Sequence, residues 1–127
     1  MIWRGILFVF LGSGVGGVLR YLTAVGLQAA VPPGKVWTMP WSTLLVNIAG
    51  CFLFGLVFGL GMRGVVDKDW KLALTTGFCG GLTTFSTFGF ETLTMISRGE
   101  FLSAAAYALV SLAAGILAAG AGYMLVR

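Results

Sequence analysis

Three long stretches of this chain carry no charge. None lies between Lys35 and Arg63, between Lys71 and Glu91, or between Glu100 and Arg127. An α-helix needs about 20 apolar residues to cross a hydrocarbon core of roughly 30 Å, so each gap holds one crossing. Only 9% of the residues are charged, against about 25% in an ordinary soluble domain. The chain reads as an integral membrane protein.

A fourth crossing falls at Gly5–Ala30, around Arg20. Arg4 ahead of a short apolar run also fits a secretory leader. The apolar pattern resumes beyond Arg20 as YLTAVGLQAAV, however, which favours a span whose one charge faces protein or water. The reading is a single transmembrane domain over residues 1–127, all α, with helices at about 5–30, 41–62, 70–97 and 101–126. Prolines and a glycine set the first connection, VPPGKVWTMP. The short connection around Arg98–Glu100 folds the last two helices into a hairpin. Trp3, Trp37, Trp41 and Trp70 fall at span ends, where indole rings prefer the headgroup level.

The net charge of +4 is scattered over the loops as topology signals, so no nucleic-acid partner is expected. It favours both termini in the cytoplasm only weakly, because Arg20 counts for either side. Glycine is abundant at 20 residues. GSGVGG at Gly12–Gly17, Gly55 and Gly59 four apart, and the row Ala114, Ala118, Gly122 provide faces on which membrane helices approach closely. So many such faces in so small a chain imply further association, as a dimer.

Polar groups in hydrocarbon need partners or a task. The candidates are Arg20; Ser42, Thr43 and Asn47; Thr75, Thr76, Thr83, Thr84, Ser86, Thr87 and Glu91; and Tyr107 with Ser111, one turn apart on one face. Histidine is absent and no base stands at the depth of the serines, so an enzyme is not expected. Cys51 and Cys79 read as small packing residues. What the set offers is neutral donors: the Asn47 amide and the hydroxyls. Phe85 and Phe88, three apart, can add ring edges, the positive part of the aromatic quadrupole. Such a surface can replace the hydration of a small anion and still release it. Packing, for the rings, and bonds back to the parent helix, for the hydroxyls, are the alternative uses; Asn47 fits an interhelical bond equally well. GFCGG at Gly77–Gly81 signals something different. Each glycine weakens a helix by about 1 kcal/mol relative to alanine, and unwound backbone at membrane depth can turn carbonyls toward a hard cation such as Na⁺.

GFCGGLTTFSTF at Gly77–Phe88 resembles the signature of the Fluc (CrcB-type) fluoride channels. STLLVNIAGCFLFG at Ser42–Gly55 resembles that family's second-helix motif, and GGVLR at Gly16–Arg20 its first. The motifs stand in family order, and the resemblance covers essentially the whole chain. It implies an antiparallel, dual-topology homodimer of four-helix subunits, the third helix broken near its middle, in the bacterial inner membrane. It also implies passive, selective fluoride export that relieves fluoride toxicity. By the same resemblance, Asn47, Phe85 and Phe88 line the pathway, Ser86, Thr87, Tyr107 and Ser111 continue it, and Glu91 stands near it. Arg20 sits in an aqueous vestibule, and backbone carbonyls of Gly80 and Thr83 from both subunits hold one structural Na⁺ at the dimer centre. Ser42 replaces a glycine of many relatives, and Gly115, one turn after Ser111, thins the polar track on the last helix. The main rival is a small proton-coupled multidrug exporter, also a four-helix dual-topology dimer. It needs a carboxylate on the first helix, which here has none; Glu91 is the one substitute. A pore-disrupting protein of the holin kind would need neither Asn47 nor GFCGG.

Overall fold

The computed structural model describes residues 2–32, 34 and 39–127; Lys35 and Trp37 lie outside them. All the regular secondary structure among the described residues is helical. Helix α1 (Ile2–Ala29) and α2 (Trp41–Met62) are followed by α3 (Lys68–Leu72), which runs through π-helical turns at Ala73–Cys79 into α4 (Gly80–Leu82). Then come α5 (Phe85–Ser97) and α6 (Phe101–Val126). Helices α1, α2 and α6 are each long and apolar enough to cross a membrane.

Local chemistry sets several of these ends. Asp67 caps α3, its carboxylate accepting from Asp69 N at 2.7 Å. Gly64 and Gly99 carry positive φ, 74° and 77°, at the ends of α2 and α5, where a residue with a Cβ is strained. Glu100 N then bonds back to Met95 O at 2.9 Å and closes the hairpin into α6. Trp3, Trp41 and Trp70 are 78%, 50% and 58% exposed at helix ends.

Two close pairings build the molecule. On one side α1 lies against the π-helical turns and α4. A Cβ at Gly12 would strike the Ala73 carbonyl, one at Gly16 the Phe78 carbonyl, and one at Gly81 the backbone of Ser13. On the other side α2 lies against α6, with Gly55 on the Ala119 carbonyl and Gly122 on that of Phe52. The helices therefore meet backbone to backbone, as small residues permit. The glycines at Gly12, Gly16, Gly55, Gly59 and Gly122 are thus spent on packing within the chain, whereas Gly14 faces open space.

Those contacts also relocate one expectation. The sequence suggested unwinding at Gly77–Gly81, yet these residues are helical, π-type and then α. The non-helical residues come next: Thr83 (φ −84°, ψ 156°) and Thr84 (φ −147°, ψ 120°) are extended. Gly77 and Gly81 are needed for contact with α1, and the cost of leaving the helix is met at Thr84 by hydrogen bonds with the Asn47 side chain of α2.

Little of the chain is inside. The main cluster is Leu44, Met95, Ala104 and the fully buried Tyr107, with Met39, Ile48 and Phe88 against it. Large apolar side chains such as Phe10, Leu102, Leu109 and Leu117 are mostly exposed. A surface of this kind is stable against hydrocarbon or another protein, not against water.

Candidate functional site

The extended pair Thr83–Thr84 is the centre around which the polar groups gather. Thr84 N, which would serve Gly80 O in a continuous helix, instead donates to Asn47 Oδ1 on α2 at 2.7 Å. Asn47 Nδ2 donates to Thr84 O at 3.2 Å. One primary amide thus satisfies both polar groups of a backbone residue that no helix serves, and a second Nδ2 hydrogen is left over. Thr84 also caps α5: its Oγ1 accepts from Thr87 N at 3.2 Å and donates to Thr87 Oγ1 at 3.0 Å. From the opposite flank, Arg20 Nε on α1 donates to Gly81 O at 3.0 Å.

Asn47, Thr83, Phe85, Phe88 and Ser111 line one cavity of about 290 Å³, with Cys51 one turn from Asn47. The Ser111 hydroxyl is buried there without a hydrogen-bond partner among the described residues. A buried hydroxyl without a partner calls for one. Phe85 and Phe88 stand 5.8 Å apart between centroids, tilted by 46°. Their environments differ: Phe88 is half-buried and packs on Tyr107 at 5.0 Å, while Phe85 is 83% exposed on the outside of the chain.

Two further clefts lie nearby, the first sharing Thr84 with this cavity. One of about 320 Å³ is lined by Arg20, Ser42, Thr43, Thr84 and Thr87. Another of about 360 Å³ shares Ser42, Thr43 and Thr87 with it and adds Glu91. The Glu91 carboxylate accepts from Thr43 Oγ1 at 3.0 Å through one oxygen and from Tyr107 Oη at 2.9 Å through the other. A larger cavity, about 1090 Å³, lies elsewhere, between the first half of α1 and α3, and apolar residues such as Ile6, Val9 and Leu72 dominate its wall.

Most of the residues singled out in sequence therefore gather around Thr83–Thr84, but not all in the roles expected. Tyr107 is fully buried and its hydroxyl is committed to Glu91, so Tyr107 and Ser111 do not share one open wall. Ser86 is exposed, with its hydroxyl 3.4 Å from that of Thr84. Gly80 lies on the exposed outer side of the chain and Thr83 is half-buried. Gly80 O and Thr83 O receive no hydrogen bond among the described residues. Two of the candidates, Thr84 and Thr43, carry roles that the sequence reading left unassigned. Thr84 was one more hydroxyl in the inventory, although threonine three residues ahead of Thr87 is a helix-capping pattern. Thr43 stands four residues before Asn47 and thus on the same face of α2.

The same residues fall within a recognised family. Residues 7–123 match the model described as "CrcB-like protein, Camphor Resistance (CrcB)". The chain belongs to the CrcB family. A protein of Methylobacterium nodulans named "Fluoride-specific ion channel FluC" is 45% identical over 122 residues, covering 95% of this chain and 94% of that protein. Proteins with the same name from Phocaeicola vulgatus and Nitrobacter winogradskyi are each 40% identical, covering 90% and 100% of this chain and 91% and 98% of their own lengths. Family membership and the three apolar helices together make the chain a multi-pass membrane protein.

Proposed function

We propose that this chain is a passive, selective fluoride channel that lets F⁻ leave the cytoplasm. The observation that carries the reading is the cavity at Asn47: a leftover amide N–H, an unpartnered Ser111 hydroxyl and two phenylalanines, with no fully charged side chain on its wall. Neutral donors can take over part of an anion's hydration without trapping it. The relatives' shared name supplies the identity of the anion. The family is one of ion channels, so the activity is conduction and not catalysis. Export needs no pump, because a negative-inside potential contributes about 2.3 kcal/mol per charge for each 100 mV toward expelling an anion.

The functional unit is an antiparallel, dual-topology homodimer in the bacterial inner membrane. Each subunit crosses four times, with the third crossing interrupted near its middle at Thr83–Thr84. Helix α5 has 13 residues, roughly 20 Å of rise, so it crosses only together with α3, the π-helical turns and α4. The exposed Phe85 ring and the open apolar faces support a second copy. Phe85, Phe88, Asn47, Ser111 and Thr87 line the path. Arg20, whose Nη groups remain free of the bond to Gly81 O, draws anions into the cleft it lines with Ser42 and Thr43. Glu91, held by Thr43 and Tyr107, borders that entrance.

The carbonyls of Gly80 and Thr83 fit a structural Na⁺: they are hard oxygen donors without hydrogen-bond partners among the described residues. One chain supplies two such oxygens, so the site is completed by the same pair from the second copy. When bound, the ion supplies positive charge at the dimer centre that neutralises converging carbonyl dipoles.

Liposomes loaded with KF test this reading. After valinomycin, the wild-type protein releases fluoride rapidly, read by electrode, and does not release chloride from KCl-loaded vesicles. A well-folded protein that releases neither, or that moves cations only against a proton gradient, overturns it.

A further inference from the structure

We infer that Arg20 is a positioning residue that sets the conformation of the carbonyl turn Gly80–Thr83, acting through its Nε–H and not through its charge. The inference rests on the reading of Gly80 and Thr83 as cation ligands. Helix α4 ends at Leu82, and the two residues after it are extended. Its last carbonyls therefore lose the donors that a continuing helix would supply. Gly81 O is taken by Arg20 Nε at 3.0 Å, while the far side of the turn is held by the Asn47 bonds to Thr84 N and O. Gly80 O, just before the first anchor, and Thr83 O, just before the second, receive no donor among the described residues.

The clamp is rigid on the α1 side. Gly16 and Gly81 bring α1 and α4 into backbone contact, so that no Cβ fits at either position. The origin of the Arg20 side chain is thereby fixed relative to the carbonyl it holds. Electrostatics alone would make this arginine a poor neighbour, since a guanidinium repels a cation. Its gain to the site must come from geometry.

Side-chain chemistry separates the two effects. Nitrogen Nε is the fourth atom from Cα in arginine. Glutamine places its amide N–H at that same distance and carries no charge, whereas lysine has a methylene there and keeps the charge. The purified protein in detergent, followed by melting temperature while Na⁺ replaces N-methylglucamine at constant ionic strength, reads cation binding without reading conduction. The wild type melts higher as Na⁺ rises. In Arg20→Lys the Na⁺ concentration giving half the effect increases about tenfold, the scale of one lost hydrogen bond. Arg20→Gln keeps the wild-type midpoint or a lower one. Arg20→Lys matching the wild type overturns the inference, as does Arg20→Gln weakened as much as Arg20→Lys. If Arg20→Lys does not fold, the glutamine arm decides alone: a weakened midpoint there overturns it. A wild type whose melting ignores Na⁺ overturns the cation reading itself, and the inference with it.

Discussion

At the scale of single residues, Asn47 carries the heaviest duty. Its amide satisfies both backbone groups of Thr84 and still has an N–H to offer. Asn47→Ala leaves those groups without partners, so the protein loses about 1–3 kcal/mol of stability and fluoride efflux falls to background; denaturant unfolding in detergent and the KF assay check the two parts. Glu91 shows how a buried set acts as one unit. Thr43→Val and Tyr107→Phe each remove one donor to its carboxylate, and each costs about 1–3 kcal/mol. The double mutant departs from additivity by about 0.5 kcal/mol or more, because both donors serve the same group. Phe85→Ile slows efflux at least about tenfold, since an aliphatic side chain has no positive edge to present; a rate equal to wild type would remove Phe85 from the path. Much of this site could be read in sequence, because Asn47, Arg20 and Glu91 are the polar groups hardest to leave unpaired in hydrocarbon. The Tyr107 hydroxyl could not be placed from spacing. Its helical face is the one shared with Ser111, but its length carries the oxygen to Glu91.

At the scale of elements, charge and indole placement were informative and glycine was ambiguous. Helix α2 runs from Trp41 to Met62, within the charge-free gap that ends at Arg63, and α6 fills the gap between Glu100 and Arg127. Glycine serves two opposite ends: it weakens a helix, and it lets a helix pack more closely. At Gly77–Gly81 the second use prevails, because α1 brings Gly12 and Gly16 to meet it, and the chain leaves the helix two residues later. Only the tertiary contact distinguishes the uses. Replacement of glycines tests this. Gly122→Leu drives a side chain into the Phe52 backbone and destabilises the fold by at least about 1–3 kcal/mol. Gly14→Ala, which meets open space within the chain, leaves the stability of the folded subunit within about 0.5 kcal/mol of wild type. Equal melting of the two variants would contradict the backbone-contact account of α2 and α6.

At the scale of the whole molecule, the chain has too little interior to be its own environment. Few residues are inside, the main cluster being Leu44, Met95, Ala104 and Tyr107, while many large apolar side chains and the Phe85 ring stand exposed. The sequence carried the membrane class plainly, since length and lack of charge leave no other solvent for such a surface. The small-residue faces that suggested a second copy in sequence are largely used within the chain, at Gly12, Gly16, Gly55, Gly59 and Gly122, so the proposed dimer rests instead on the exposed apolar surface. Dual topology predicts that a tag at the C-terminus is reached by impermeant reagent on both sides of the membrane, in roughly equal parts; protection of one side only would contradict it. The most direct test of the central claim is the reversal potential of a single reconstituted channel with fluoride on one side and chloride on the other, at equal pH. A selective, uncoupled fluoride path predicts a reversal displaced far toward the fluoride equilibrium potential and unmoved by a proton gradient. Reversal near zero, or one that follows the proton gradient, would contradict the account.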